Sequence, residues 1–227
     1  MFASLFDNST DHKTIIEALA KSRRGLSRDE ILEATGLSSG GSLTRTMREL
    51  IESGFIAEIT PIERKKKQSL HQLCDEYSLF YLKYIKNNRD DSWTSLYNSR
   101  SYLSWRGRAF EVLCLKDVAQ TKKALGIAGI SANSSSWRNK NAQIDLLIDR
   151  GDNSVNLCEI KFSNAEYVIT KNYKETLLNK KLQFVKGFSR RKNIYITMIS
   201  IFGIKENTNN REVIDNQVTM DHLFEKA

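Results

Sequence analysis

Two acidic residues and one lysine interrupt apolar segments in the C-terminal half of the chain. Asp145 lies in the segment 143–149, and Glu159 and Lys161 lie in the segment 155–162. Each segment has the length and the aliphatic composition of a β-strand. Because successive side chains of a strand point to opposite faces, Glu159 and Lys161 must project from the same side. Charged groups within a buried strand need a partner or a metal ion, since burying them unpaired is costly.

The register between these two strands decides whether the two acidic residues meet. With a five-residue turn at 150–154, Asp149 pairs with Val155 and Asp145 falls opposite Glu159. Directly opposed residues have Cβ atoms about 4.5–5.5 Å apart, which lets two carboxylates share one cation. A turn one residue shorter or longer would place them on opposite faces. The Gly-Asp-Asn sequence inside the turn favours the five-residue form.

Carboxylates in this arrangement suit a hard divalent cation. Mg²⁺ keeps several waters and binds through one or two carboxylates together with a substrate phosphate. Such an ion activates a bound water and stabilises the negative charge that develops on the phosphate. Lys161 would orient the attacking water or stabilise that charge. Asp145, Glu159 and Lys161 therefore predict a Mg²⁺ or Mn²⁺ site with the chemistry of phosphodiester hydrolysis.

The segments around this hairpin predict a small α/β domain over residues 105–227. A helix at 107–120 places Glu111 before the hairpin, and a strand is expected at 127–137. After the hairpin, the apolar pattern predicts a helix at Lys171–Gly187 and a strand at 194–202. The resulting order is αβββαβ, which builds a mixed sheet.

The N-terminal segments predict three helices followed by the start of a hairpin. Ser27 and Glu30 form a capping-box pattern before the second helix, and Gly36 ends that helix. The predicted elements are helices at 14–21, Arg28–Thr35 and 41–53, and a strand at 55–62. This order, carried by the residues 26–31 through 52–56, resembles a winged helix-turn-helix. We assign residues 1–74 to that domain and 75–104 to a helical connection.

The winged-helix resemblance implies a surface for DNA. In DNA-binding members the third helix enters the major groove, and a basic wing contacts phosphates. A formal net charge of +8 is compatible with a polyanionic partner. The implied contact residues are Ser42, Thr44, Arg45 and Arg48 on the helix, and Arg64, Lys65, Lys66 and Lys67 in the wing. Alternatively, the module packs against a protein domain and its charges are merely solvated, and the sequence leaves both interpretations open.

Asp145, the Glu159-Ile160-Lys161 sequence and the helical Glu111 together resemble the PD-(D/E)xK nuclease superfamily. Ile144 occupies the position of the proline that names the motif. The resemblance implies a restriction-endonuclease-like fold, with Asp145 and Glu159 as metal ligands and Lys161 assisting catalysis. It also implies that Glu111 adds a further ligand. Asp145, Glu159, Lys161 and Glu111 are thus the expected catalytic residues of a Mg²⁺-dependent endonuclease.

A wider resemblance covers most of the chain. The segments that carry it are 2–6, 73–77 with Phe80 and Tyr81, 107–111 and 144–148. They are similar to the C-terminal half of prokaryotic AAA-type ATPases, in which a P-loop ATPase domain precedes a winged helix and a nuclease-like domain, termed DUF234 in archaeal relatives. This chain lacks a G-x-x-x-x-G-K-[ST] sequence, so we expect no nucleotide in it. A P-loop ATPase domain upstream in the same polypeptide is an expected partner.

Three functional interpretations stay open from the sequence. The first is an active metal-dependent nuclease, with the winged helix aiding DNA or partner binding. The second is a non-catalytic, nucleic-acid-binding or regulatory C-terminal region of an ATPase, and the third makes the acidic pair and lysine a structural ion cluster. The scattered cysteines and histidines argue against zinc. The absence of a signal peptide and of a long apolar run predicts a cytoplasmic protein without membrane association.

Overall fold

The computed structural model describes residues 9–22, 24–59, 69–86, 93–189 and 191–224. The chain forms two compact units, Met1–Leu96 and Tyr97–Ala227, and the division falls inside the segment 75–104 that we assigned to a connection. The architecture is mixed α+β, with a two-stranded antiparallel sheet and a five-stranded mixed sheet. Within the described ranges, no helix is both long enough and apolar enough to cross a membrane.

The first unit follows the predicted order of three helices and a hairpin. Its elements are α1 (Ser9–Ala20), α2 (Arg28–Thr35), α3 (Gly41–Glu52), β1 (Ile56–Ile59) and β2 (Leu70–Leu73). The two strands are antiparallel and pair from Ile56↔Leu73 to Ile59↔Leu70. One apolar side chain from each helix, Ile15, Ile31 and Leu50, is fully inaccessible to solvent. The helices therefore bury their apolar faces as their periodicity predicted.

Local signals set the start of α2. The Ser27 hydroxyl accepts the N–H of Glu30 at 3.2 Å, and the Glu30 carboxylate accepts the N–H of Ser27 at 2.8 Å. This capping box confirms the predicted helix start. Just before it, Gly25 has φ +78°, and a Cβ there would lie 2.7 Å from the carbonyl oxygen of His71. Glycine lets the chain approach β2 closely enough for Leu26 and His71 to exchange two backbone hydrogen bonds.

Helices run through much of the segment 75–104, which we assigned to a helical connection, and continue into the second unit. The elements are α4 (Glu76–Phe80), a π-helical turn (Tyr81–Ile85), α5 (Trp93–Tyr97), α6 (Arg100–Lys116) and α7 (Val118–Ala124). The helix expected at 107–120 therefore starts seven residues early and breaks at Asp117. It starts there because the Ser99 hydroxyl accepts the N–H of Tyr102 at 3.1 Å and caps the first turn.

The second unit contains the five-stranded sheet. Its strands are β3 (Ala132–Arg138), β4 (Gln143–Arg150), β5 (Ser154–Lys161), β6 (Asn193–Ser200) and β7 (Asn216–Thr219), and they lie in that order. The pairs β3–β4 and β4–β5 are antiparallel, and β5–β6 and β6–β7 are parallel.

The predicted αβββαβ order is present in this unit, with α8 (Lys171–Gly187) between β5 and β6. The first strand begins at Ala132 instead of residue 127. We did not predict the elements after β6, which are α9 (Thr208–Val213), β7 and α10 (Met220–Phe224).

Helices cover both faces of this sheet. On one face, Phe110 and Cys114 of α6 pack against Leu146 and Ile148 of β4. On the other face, α8 packs through Leu177 against β6. The central strand β5 is buried from Ser154 to Ile160, as a strand covered on both faces must be. A charged side chain on β5 therefore has little access to water and needs partners within the protein.

Candidate active site

The β4–β5 register is the one that the five-residue turn predicted. Asp149 pairs with Val155, and the ladder continues to Leu146↔Cys158. In the turn, Asn153 adopts φ 61°, a left-handed conformation that asparagine tolerates well. The pairs of the β4–β5 ladder end at Leu146↔Cys158, and the β3–β4 pairing shifts by one residue between Leu147 and Ile144, so β4 carries an extra residue beside Asp145 and its side chains no longer alternate strictly. The shared face of Asp145 and Glu159 therefore stays a prediction.

The two strands separate just beyond Leu146, and the side chain of Asp145 lies at the point of separation. Its Oδ2 atom accepts the backbone N–H of Ile160 at 3.1 Å. The carboxylate thus replaces a main-chain carbonyl as the acceptor for β5. Among the residues that the structure describes, none donates a hydrogen bond to the other oxygen of Asp145 or forms an ion pair with it. Asp145 is therefore anchored through one oxygen and can offer the second to a ligand.

Glu159 is almost inaccessible to solvent and is held by two lysines. Its Oε1 atom lies 2.9 Å from Nζ of Lys161, and its Oε2 atom lies 2.5 Å from Nζ of Lys180. The side chain of Glu159 is 5% exposed, compared with 32% for Lys161 and 19% for Lys180. Asp145, Glu159, Lys161 and Lys180 together form what we call the carboxylate–lysine site.

Lys180 was missing from the residues that we predicted. It lies on α8, three residues after the buried Leu177 and four before the buried Phe184. That spacing places it on the buried stripe of the helix. The sequence could have indicated this residue, because a lysine on the apolar stripe of a helix needs a buried partner. Only the folded structure identifies that partner as Glu159 of β5.

The two carboxylates have opposite pKa shifts. Burial, together with the negative charges of Glu159 and Glu111, raises the pKa of Asp145 to about 7, against a smaller opposing effect of the hydrogen bond from Ile160 and of Lys161. Burial also acts to raise the pKa of Glu159, but the charges of Lys161 and Lys180 outweigh it and the pKa is lowered. At neutral pH, Glu159 is therefore ionised, whereas the ionised form of Asp145 is disfavoured.

The charge on Lys161 is likewise maintained by its neighbours. Burial acts to lower the pKa of Lys161, but attraction to Glu159 and Asp145 raises it overall. The ammonium also lies 5.5 Å from the centre of the Tyr173 ring, which packs edge-on against Tyr167 at 5.5 Å. Burial raises the pKa of both tyrosine hydroxyls. Both tyrosines are therefore neutral beside the Lys161 ammonium.

Glu111, the predicted helical ligand, approaches from the other side of the sheet. It lies on α6, whose neighbouring residues Phe110 and Cys114 pack on the opposite face from Glu159. Its charge nevertheless acts on Asp145, whose pKa it helps to raise. Over the described residues, however, no three His, Cys, Asp or Glu side chains form a group able to hold a metal ion. A ligand role for Glu111 therefore stays a prediction.

The carboxylates of Asp145 and Glu159 suit a hard cation, provided that a lysine leaves Glu159. Asp145 offers an oxygen, and Glu159 on the neighbouring strand would supply a second carboxylate, which is the kind of ligand that Mg²⁺ and Mn²⁺ prefer. Both oxygens of Glu159 are occupied by ammonium groups, however. A divalent cation at Glu159 must therefore take the place of at least one lysine.

The predicted DNA-contact residues of the first unit are only partly described. Arg64, Lys65, Lys66 and Lys67 lie outside the described residues. On α3, Ser42, Thr44, Arg45 and Arg48 are all exposed. Arg45 lies 3.6 Å from Glu49, and Arg48 lies 3.9 Å from Glu52. These pairs make the exposed face of α3 less positive than its arginines alone suggested, although exposed pairs of this kind are weak and easily exchanged.

Comparison of the chain with protein-family models, with curated proteins and with solved structures finds no match. The geometry of the carboxylate–lysine site is therefore the basis for the function proposed below.

Proposed function

We propose that the unit Tyr97–Ala227 hydrolyses phosphodiester bonds in DNA with the help of Mg²⁺ or Mn²⁺. Asp145 and Glu159 would hold the ion, and Lys161 would act on the phosphate or on the attacking water. The observation that carries this proposal is the position of the two carboxylates. The Asp145 carboxylate accepts the N–H of Ile160, the residue after Glu159, where β4 and β5 separate, and the Lys161 ammonium lies 2.9 Å from Glu159.

The electrostatics of the site support the proposal. The raised pKa of Asp145 shows that its ionised form is disfavoured by burial and by neighbouring negative charge. A divalent cation would relieve the repulsion between the two carboxylates. When bound, the ion would supply an activated water and a positive charge beside the phosphate. Lys161, with its charge maintained by Glu159, would donate hydrogen bonds to the same phosphate oxygens.

The finer fold assignments belong to this proposal. We take the second unit as a PD-(D/E)xK, restriction-endonuclease-like domain because its strands carry the acidic residues and the lysine in the expected order. We take α1 to β2 as a winged helix-turn-helix, supported by three helices and an antiparallel hairpin. That unit would bind DNA through α3 or dock a partner domain. We further propose that the polypeptide has a P-loop ATPase domain upstream and that the protein is cytoplasmic.

A non-catalytic role has its own supporting observation. Each oxygen of Glu159 already has an ammonium partner, so the site is partly neutralised without any metal. An ion cluster of this kind fits a nuclease-like domain that has kept its fold and serves to bind nucleic acid or to regulate an ATPase. Direct measurement of metal binding separates the two candidates.

The test begins with calorimetric titration of Mn²⁺ into the whole chain, followed by incubation of supercoiled and branched DNA with Mg²⁺. We expect one Mn²⁺ site that Asp145→Ala and Glu159→Ala abolish, and DNA cleavage that Lys161→Ala abolishes while Mn²⁺ binding persists. Asp152→Asn is the matched control, because Asp152 is an exposed carboxylate in the β4–β5 turn, paired with Arg150. Wild-type protein that binds no Mn²⁺ even with DNA present would rule out the enzyme. Mn²⁺-independent DNA binding without cleavage would favour the non-catalytic role.

A further inference from the structure

We propose that Lys180 is an exchangeable counter-ion of the metal site, which neutralises Glu159 until a divalent cation displaces it toward the substrate phosphate. This inference rests on the proposed function and deepens it. In the metal-free form of the carboxylate–lysine site, the Lys180 ammonium pairs with Glu159. In the metal-bound form, the same ammonium pairs with the substrate phosphate. A residue outside the D…ExK pattern thereby gains a functional role.

The position of Lys180 shows that it is directed at the site by the fold. Its neighbours on the helical stripe, Leu177 and Phe184, are 2% and 0% exposed, so they fix the rotation of α8 against the sheet. The ammonium of Lys180 consequently ends 2.5 Å from Oε2 of Glu159, although the two residues lie on different elements. A solvated lysine on an exposed helix face would gain little from such a contact.

The charges at the site require an exchange when a cation binds. A metal ion bound to Glu159 needs at least one carboxylate oxygen, and each oxygen is within 2.9 Å of an ammonium group. The remaining ammonium and a divalent ion then stand side by side, which like-charge repulsion disfavours unless an anion arrives between them. A phosphate group is such an anion, and a lysine ammonium is a suitable donor for it.

Lys180 is the lysine that can leave. Lys161 is tied to its place because it projects from the central strand β5, two residues from Glu159, and packs over the ring of Tyr173. Lys180 instead reaches the site from α8, a different element from the strand that carries Glu159, through its long flexible stem. Rotation of that stem moves the charge without disturbing the sheet.

The experiment measures Mn²⁺ affinity in the absence of DNA for Lys180→Gln and for Lys180→Met, which keeps more of the apolar stem. Removing the competing ammonium should tighten Mn²⁺ binding about tenfold. With Mg²⁺ present, both variants should bind a non-cleaved phosphorothioate DNA about tenfold more weakly than the wild type, because the contact of Lys180 with a phosphate is lost. Lys180→Arg keeps the charge and should keep the wild-type Mn²⁺ affinity. Lys181→Gln, a change at the next residue of the same helix, is the control.

A purely structural lysine would give the opposite result. If wild-type protein binds Mn²⁺ but folded Lys180→Gln and Lys180→Met bind it equally or more weakly, the exchange is refuted while the metal site stands. If neither the wild type nor the variants bind Mn²⁺, the proposed function itself fails.

A measurement on unmodified protein keeps the test independent of mutant folding. Acetylation of Lys180 by a water-soluble reagent, followed by mass spectrometry, should speed up about fivefold or more when Mg²⁺ binds, since the ammonium leaves the carboxylate. Lys181 is the internal reference. An unchanged acetylation rate at saturating Mg²⁺ would overturn the inference.

Discussion

Replacing the two site carboxylates by their amides, one at a time, should change the stability of the metal-free protein in opposite directions. Asp145 is destabilised as a carboxylate by burial and by its negative neighbours, whereas Glu159 is neutralised by two lysines. Asp145→Asn should therefore stabilise the protein at pH 8, and Glu159→Gln should destabilise it. The prediction separates two residues that a sequence motif treats as equivalent.

The size of the Asp145 effect follows from its pKa, which is raised from 3.8 to about 7. Because the native state binds this proton more tightly than the unfolded chain does, the contribution of Asp145 to stability falls as pH rises from about 4 to about 7. A shift of this size corresponds to about 4 kcal/mol at most. Asparagine keeps an acceptor for the N–H of Ile160 and carries no charge. We expect Asp145→Asn to gain about 2–4 kcal/mol at pH 8 and almost nothing near pH 4.

The Glu159 effect follows from its burial and its partners. Removing one partner of a buried ion pair typically costs about 3–5 kcal/mol, because the other charge is left uncompensated. Lys161 and Lys180 are 32% and 19% exposed, so both can turn partly toward water. We therefore expect a loss near the lower limit, about 3 kcal/mol, for Glu159→Gln at pH 8. Since the pKa of Glu159 is lowered, this contribution is present above the pKa of the unfolded chain and disappears as pH falls through the folded value.

Urea unfolding at pH 8 and pH 4.5, with a chelator present, measures both effects. Tryptophan fluorescence reports on the second unit through Trp105 and Trp137, and Asp152→Asn serves as the control. Excess Mg²⁺ at about a hundred times its Kd should stabilise the wild type by about 2.7 kcal/mol and should stabilise neither amide variant. If Asp145→Asn is less stable than the wild type at pH 8 without metal, the electrostatic reasoning for this site is wrong.

Three further substitutions test the fold. Ser27→Ala should cost about 1 kcal/mol, because it removes the side-chain acceptor that caps α2, and urea unfolding of the first unit measures it. Gly25→Ala should cost about 2 kcal/mol or more, because it places a Cβ against the His71 carbonyl at positive φ, with a lowered melting temperature in circular dichroism as the readout. Lys192→Met should cost about 3 kcal/mol at neutral pH in urea unfolding, because Lys192 is an ion-pair partner of the buried carboxylate of Asp149. Lys192→Arg keeps the charge and should lose much less, and an equal loss in both variants would show that packing, not charge, is its role.

Local patterns in the sequence were sufficient for several features. The limits of α2 and of α8 agree with the predicted ranges Arg28–Thr35 and Lys171–Gly187. The β4–β5 register was also predicted, because a turn with the sequence Gly-Asp-Asn and alternating side chains determines which residues share a face. These features depend on residues close together in the chain. For that reason the amino-acid sequence alone was enough to predict the pairing of Asp149 with Val155. The extra residue of β4 beside Asp145 was not predicted.

Other features depend on contacts between distant segments, and only the tertiary structure decided them. Lys180 reaches Glu159 from a helix that begins ten residues after β5 ends, so no local pattern pairs the two residues. The opposite pKa shifts of Asp145 and Glu159 likewise arise from burial by two helical layers and from charges on α6 and α8. The sequence thus determined the register that brings Asp145 and Glu159 to neighbouring strands of a hairpin. The packing of helices on that hairpin decided their charge states, because burial and distance to other charges control ionisation and neither is encoded locally.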